Sequence, residues 1–192
     1  MDERFERVIA AIDRLNSDDP NTDVVGGTAR PRELVYSERV TAWVARLRPG
    51  ASEALRIAAR GQHVQRWTIP RERYERTRRG YLRWRETLKT FHAERVAELM
   101  RAAGYPEADV ARVREIMSKR RLPEDPETQA LEDALCLVFL DTQLEDLKRK
   151  TLDETMRGVV RKTWQKMSPP AREEALRLPL SDETMRWVKE TV

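Results

Sequence analysis

The chain has 192 residues, of which 36% are charged and 40% hydrophobic, and its formal net charge is +4. This length suits one domain with a sizeable core, and this mixture is typical of a folded, mostly helical protein and not of a disordered chain. Cys136 is the only cysteine, which excludes an intramolecular disulfide and a cysteine-rich zinc site. A net charge this small gives no general preference for nucleic acid, so the local distribution of charge matters more.

The sequence predicts a cytoplasmic protein that does not enter a membrane. The stretch "MDERFERVIAAIDRL" is too charged for a signal peptide. No apolar run approaches the roughly 18 residues that a membrane helix needs. Cys136 lies in the apolar run "ALCLVFL", which indicates a small buried side chain in a reducing compartment.

Helical periodicity accounts for most of the chain. Taken in order, helices are predicted over residues 3–15, 31–48, 52–66, 78–103, 106–119, 127–149, 152–166, 169–177 and 181–190. Breakers predict loops at 16–30, 67–77 and 120–126. Neither a strand nor an internal repeat is predicted, so the fold class is all-α, a single-domain bundle of several helices.

Basic residues concentrate in residues 60–89, where ten arginines and lysines occur with three glutamates. This segment therefore carries a charge of +7, and the rest of the chain carries −3. Trp67, Tyr74, Tyr81 and Trp84 are interleaved with the arginines. Because the arginine fork matches phosphate oxygens in two-point contacts, the segment predicts a site for an anion. The alternative is a solvated surface whose charges pair with nearby glutamates.

Three polar side chains, His63, His92 and Asp133, lie on stretches that otherwise look apolar or interior. A buried carboxylate is costly unless it is paired or bound to a metal. Two imidazoles and a carboxylate on three helices suit Zn, Mn, Fe, Co or Ni. The alternatives are a hydrogen-bonded core histidine and an aspartate paired with an arginine.

Four stretches, in this order, resemble the HD superfamily of helical metal-dependent phosphohydrolases. That family has a His on one helix, a His-Asp doublet that ends an apolar helix, and a distant Asp on a later helix. "YSERVTAWVARL" is similar to the first helix, with Tyr36 where the His would stand, and "LRIAARGQHV" is similar to the second, with Gln62-His63 in place of His-Asp. "HAERVAELMRAAGY" is similar to a later His-bearing helix and gives His92, and "LEDALCLVFL" is similar to the Asp helix and gives Asp133.

The resemblance implies an HD-like core over about residues 33–145, with C-terminal helices 151–192 packing on it in one domain that spans 1–192. It also leaves two possibilities for the altered ligand positions. Either a metal site is rebuilt around His63, His92 and Asp133, with Glu38 or Glu94 nearby, or the metal is lost and the cavity only binds a ligand.

The chain as a whole is also similar to an uncharacterised domain-of-unknown-function family. The patterns that carry this similarity are "QHVQRWTIPR", "GYLRWR", "HAE" and "LEDALCLVFL". This family supplies no activity, so function is predicted from the site residues alone.

The leading hypothesis is an HD-like protein that binds or hydrolyses a small phosphorylated, nucleotide-like ligand with metal-activated water. The predicted roles are as follows: metal ligands His63, His92 and Asp133; general base Glu94 or Glu132; phosphate-binding Arg60, Arg66, Arg71 and Arg85; pocket-lining Tyr36, Gln62, Trp67 and Trp84. The metal would be Mn, Fe, Co, Ni or Zn, or none, and enzymatic competence is left open.

Two other functions remain possible from the sequence. One is a non-catalytic nucleotide- or RNA-binding module that uses the basic and aromatic segment 60–89. The other is an interaction protein whose Trp164 and Trp187 dock a partner, although both tryptophans also suit the cores of short helices. The sequence does not determine the oligomeric state.

Overall fold

Ten α-helices and one β-hairpin follow one another in residues 3–122 and 124–190, the part of the chain that this computed structural model describes. The helices are α1 (Glu3–Ser17), α2 (Arg32–Leu47), α3 (Glu53–Gly61), α4 (Arg78–Ala102), α5 (Glu107–Ser118), α6 (Pro126–Thr142), α7 (Leu144–Lys148), α8 (Asp153–Lys166), α9 (Pro169–Ala175) and α10 (Asp182–Lys189). The predicted all-α class is therefore confirmed. The outermost residues of the predicted 1–192 domain, and residue 123 in the predicted loop 120–126, lie outside the described residues.

A short hairpin replaces part of the predicted loop between α1 and α2, so the prediction that the chain has no strand is wrong. Strand β1 (Thr22–Val25) pairs antiparallel with β2 (Thr28–Pro31). The two residues of the turn, Gly26 and Gly27, both have positive φ, 57° and 80°. A two-residue turn of this kind matches the twist of paired strands, so the two glycines turn the chain into a hairpin instead of only breaking it.

The third helix ends earlier than its apolar periodicity predicts, at Gly61 instead of residue 66. Gln65 adopts a left-handed conformation with φ 52°, and its backbone N–H donates to Asn16 Oδ1 at 3.1 Å. Gly61 itself lies against α4, because a Cβ at this position would approach Val96 Cγ2 to 2.3 Å. The lack of a side chain at Gly61 therefore lets α3 lie against α4, and two residues later His63 lies beside His92 of α4.

The predicted helix 127–149 is divided in two at Gln143. The N–H of Gln143 closes the last turn of α6 by donating to the carbonyl of Phe139 at 3.0 Å, and α7 starts at the next residue. Leu144 is fully buried against the C-terminal helices. Gln143 has φ −120° and ψ −23°, outside the helical range, so the predicted helix is interrupted at this residue.

Two apolar clusters meet at α6. The first cluster contains residues from each of the helices α1 through α5 and from one face of α6, and it includes Ile12, Leu55 and Leu131. The second joins the other face of α6 to α7, α8, α9 and α10 and includes Trp164 and Trp187, which are buried. These two tryptophans therefore belong to the core and are not free to dock a partner.

None of the helices in the described part of the chain is both long and apolar enough to cross a lipid bilayer.

Candidate functional site

A cavity of about 600 Å³ lies where α2, the segment after α3, α4, α6 and α8 meet. Its volume is in the range of small-molecule sites. Seven basic and four acidic side chains line it. These are Arg32, Arg39, Arg66, Arg85, Lys119, Lys150 and Lys166, together with Asp23, Glu33, Glu132 and Asp146. The cavity therefore carries an excess of positive charge.

A histidine and a glutamate form a hydrogen-bonded pair in this cavity. His63 Nδ1 lies 3.1 Å from Glu33 Oε2, and Arg66 lies 3.8 Å from the other carboxylate oxygen. The ring of Tyr36 stacks on the imidazole of His63 with centroids 3.9 Å apart and planes 7° apart. Glu33 and Tyr36 lie on the same face of α2 because they are three residues apart. The backbone N–H of Glu33 donates to Asp19 Oδ2 at 3.0 Å.

Burial shifts the protonation of this pair. It raises the pKa of Glu33 to about 7, and Arg66 opposes the shift in part. Burial also lowers the pKa of His63 well below its ordinary value, and the positive charges of Arg66, Arg85 and Lys119 lower it further. His63 is therefore neutral at neutral pH. Strongly perturbed groups inside a cleft are a common mark of a functional site.

The basic residues of the cavity differ in how their charges are balanced. Lys119 forms an ion pair with Glu132, and Lys166 Nζ lies 3.2 Å from the same carboxylate. Arg39, Arg85 and Lys150 form no ion pair within residues 3–122 and 124–190. These three are the charges of the cavity that a bound anion would neutralise.

Of the three predicted metal ligands, the structure places His63 and His92 next to each other, but Asp133 does not join them. The rings of His63 and His92 lie 5.7 Å apart between centroids, and His92 Nδ1 donates to the carbonyl of Val64 at 2.9 Å. Burial, followed by the neighbouring His63, lowers the pKa of His92 to about 3. Both oxygens of Asp133 accept hydrogen bonds from Ser168, at 2.8 Å from its N–H and 2.6 Å from its hydroxyl.

Asp133 therefore anchors the start of α9 and lies outside the lining of the cavity. Among the described residues, no three His, Cys, Asp or Glu side chains are arranged so that they could hold a metal ion. This set of donors does not fit the metal that the HD resemblance implies. Asp133 Oδ1 also accepts a hydrogen bond from Gln129 at 2.9 Å, so most of the roughly four lone-pair sites of this carboxylate are already used.

The two predicted general bases have different positions. Glu94 lies on the exposed side of α4, where it pairs with Arg114, and it does not line the cavity. Glu132 does line the cavity. Burial acts to raise the pKa of Glu132, but Lys119 and Lys166 outweigh burial and hold this pKa below its ordinary value. Both oxygens of Glu132 are thus paired with lysines, and Glu94 lies away from the cavity, so neither carboxylate is free inside the cavity to take a proton from water.

The predicted phosphate-binding arginines separate into two groups. Arg66 and Arg85 line the cavity as expected. Arg60 instead binds Asp13 of α1 through two hydrogen bonds of 2.5 and 2.7 Å. Arg71 donates to the carbonyls of Tyr74 and Glu75 and so fixes the loop before α4. Arg60 and Arg71 thus use their guanidinium groups for internal partners and do not line the cavity, so of the four predicted arginines the structure brings only Arg66 and Arg85 to it.

The predicted pocket residues are divided in the same way. Tyr36 and Gln62 line the cavity, and Gln62 Oε1 is buried with no hydrogen-bond partner in the described part of the chain. Trp67 and Trp84 lie outside its lining. Trp84 contacts a residue of the lining instead, because the guanidinium of Arg66 lies 4.9 Å from the centre of the Trp84 ring. The Nε1–H of Trp84 donates to the carbonyl of Ile69 at 2.9 Å.

Several residues of the cavity were not predicted from the sequence, above all Glu33. In the sequence, Glu33 reads as an ordinary acidic residue in the first turn of a helix, where negative charge is favourable. The spacing of Arg32, Tyr36 and Arg39 on one helical face is a signal that could have indicated this surface. Lys119 and Lys166 come from distant helix ends, and only the packing brings them to Glu132.

Comparison with known proteins gives a family but no activity. The searches of curated proteins and of solved structures found no match to this chain. The HD resemblance therefore stays a prediction. The family of the domain of unknown function DUF4202 matches residues 6–188, and the chain belongs to this family.

Proposed function

We propose that the protein binds a small phosphorylated ligand, of nucleotide-like size, in the cavity between α2, α4, α6 and α8. The observation that carries this proposal is the excess of basic side chains in the cavity, with Arg39, Arg85 and Lys150 free of ion pairs among the described residues. Clustered like charges repel one another, and a multiply charged anion relieves that repulsion.

The geometry favours a phosphate over a single carboxylate. Arg66 is held between Glu33 and the ring of Trp84, so its guanidinium is already oriented before a ligand arrives. Pre-oriented arginines lose little side-chain entropy on binding and match phosphate oxygens in pairs. A volume of about 600 Å³ exceeds what an inorganic phosphate fills, so it also admits the organic part of the ligand.

The proposal assigns the neutralisation of phosphate charge to arginine and lysine. Because the predicted metal ligands do not fit a metal, binding is expected to persist in a chelator. Titration of Mn, Co, Ni or Zn in the absence of ligand tests the metal prediction directly. Stoichiometric binding of one of these ions would contradict this assignment.

Isothermal titration calorimetry in EDTA tests the proposal, with inorganic phosphate, pyrophosphate and nucleoside mono- and triphosphates as ligands. Arg85→Met should weaken the best ligand at least tenfold because it removes a charge from the cavity. Arg83→Met is the matched control, since Arg83 is exposed on the same helix and does not line the cavity. Equal losses in both variants, or no binding by the wild type, would refute the proposal.

A second candidate function is binding of single-stranded RNA, which one observation favours. Four arginine side chains near the start of α4 are exposed and form no hydrogen bond or ion pair within the described ranges: Arg76, Arg78, Arg79 and Arg83. Tyr81, among them, is 45% exposed and could stack on a base.

The same pair of variants separates the two candidates. For RNA, Arg83→Met should reduce affinity and lower the slope of log affinity against log salt by about 1. A small ligand in the cavity should be insensitive to Arg83→Met. Fluorescence anisotropy of a labelled oligonucleotide at several salt concentrations measures both quantities.

A further inference from the structure

The imidazole of His63 is held in one orientation from two sides. The buried carboxylate of Glu33 fixes Nδ1, and the ring of Tyr36 stacks on one face of the imidazole. The other ring nitrogen, Nε2, has no hydrogen-bond partner within residues 3–122 and 124–190. His63 lines the cavity and its side chain is 18% exposed, so a ring held in one orientation is combined with a nitrogen that no described residue binds.

The carboxylate determines which nitrogen carries the proton. When Glu33 is ionised it can only accept a hydrogen bond, so His63 Nδ1 carries the N–H and Nε2 has a lone pair. Other charged or titratable groups surround the pair: Asp19, Arg32, Arg66, Arg85, Lys119 and His92. The arginines and Lys119 oppose a positive charge on His63 in the free protein, and the phosphate oxygens that they are expected to hold counter this effect when a ligand binds.

We propose that the protein hydrolyses a phosphoanhydride or aryl phosphate without a metal, with His63 as general base and Glu33 as the residue that positions it. The inference rests on the proposed binding of a phosphorylated ligand in this cavity. It differs from the HD-type expectation because a carboxylate–imidazole pair takes the place of a metal in activating water.

The reaction consumes only the bound phosphoanhydride or aryl phosphate and one water molecule. His63 Nε2 accepts a proton from water while the water oxygen forms a bond to phosphorus. The bond between phosphorus and the leaving oxygen breaks, and its electron pair stays on that oxygen, which takes up a proton from solvent where its basicity requires one. The imidazolium then releases its proton to solvent, with Arg66 and Arg85 neutralising the phosphoryl oxygens.

Phosphate release from 4-nitrophenyl phosphate, pyrophosphate and nucleoside triphosphates, measured in EDTA, tests the inference. His63→Asn should lower kcat by at least a hundredfold, as expected for loss of a general base. Its Kd for a non-hydrolysable nucleoside triphosphate should stay within twofold. Glu33→Gln should lower kcat, and Glu33→Asp should restore part of it, because only a carboxylate sets the tautomer of His63.

Glu98→Gln is the matched control for Glu33, since Glu98 is exposed on α4 and lies outside the cavity. Binding without phosphate release in EDTA would overturn the inference and leave the proposed function intact. Release that requires an added metal would overturn it as well, and so would a His63→Asn variant that folds and keeps full kcat. If no phosphorylated compound binds, both proposals fail together.

Discussion

Replacing Glu33 with glutamine should change how the stability of the protein depends on pH. Glu33 is 5% exposed, and its pKa is raised to about 7 from an ordinary 4.5, chiefly by burial. A raised pKa means that the folded state binds the proton more tightly than the unfolded state. The stabilising effect of this proton is complete below about pH 4.5 and is lost as the pH rises to about 7. Glutamine has no proton to lose.

The size of the effect follows from the pKa difference. A rise from 4.5 to about 7 corresponds to about 3 kcal/mol in the free energy of unfolding. Relative to the wild type, Glu33→Gln should therefore gain about 3 kcal/mol between pH 4.5 and pH 8. For a chain of this length this is a gain of roughly 6–12 °C in Tm.

Urea denaturation followed by tryptophan fluorescence at pH 5, 6, 7 and 8 measures this difference. The buried His63 and His92, whose pKa values are lowered, make both proteins less stable below about pH 6.5. That acid effect cancels in the difference, to the extent that the substitution leaves the histidines unchanged. Glu98→Gln corrects for loss of a carboxylate at an exposed position. A difference that is constant within about 1 kcal/mol from pH 5 to pH 8 would show that ionising Glu33 is not costly.

Two further predictions concern stability. Asp133→Asn should destabilise the protein by about 1–3 kcal/mol in urea denaturation, because it weakens the hydrogen bonds to Ser168, while ligand affinity stays unchanged. A large loss of ligand affinity at constant stability would contradict this structural role. Gly61→Ala should lower stability by about 1–3 kcal/mol, since its Cβ would meet Val96 Cγ2 at 2.3 Å, whereas Gly158→Ala, where nothing lies within 4 Å, should be neutral or stabilising. If the two substitutions have equal effects in thermal denaturation, α3 and α4 do not approach as closely as the structure shows.

Local sequence signals were sufficient for most of the helices. Pro126 after Asp125 marks the start of α6, and the side chain of Asp125 accepts from the N–H of Glu127, as a cap does. The signals failed where a distant contact decided the local conformation. Gln65 takes a left-handed conformation because Asn16 binds its N–H, and nothing in the neighbouring sequence indicates this.

The candidate site shows the same division. His63, Arg66 and Arg85 could be selected from the sequence because histidine is rare in this chain and the arginines are clustered. The choice between Glu132 and Asp133 could not be made in this way. Successive residues of a helix point about 100° apart, so one of them faces the cavity and the other faces Ser168, depending only on how α6 is packed.

By itself, then, the sequence determined the all-helical class and a basic, histidine-containing region, because these depend on periodicity and composition. The tertiary structure alone decided which charges are available. In the folded protein Arg60 forms an ion pair with Asp13, and Asp133 accepts hydrogen bonds from Ser168. The fold also brings Glu33 into hydrogen-bonding contact with His63, thirty residues away in the sequence. Ion pairs and hydrogen bonds depend on distances of a few ångströms, and chain neighbours do not fix such distances between separate helices.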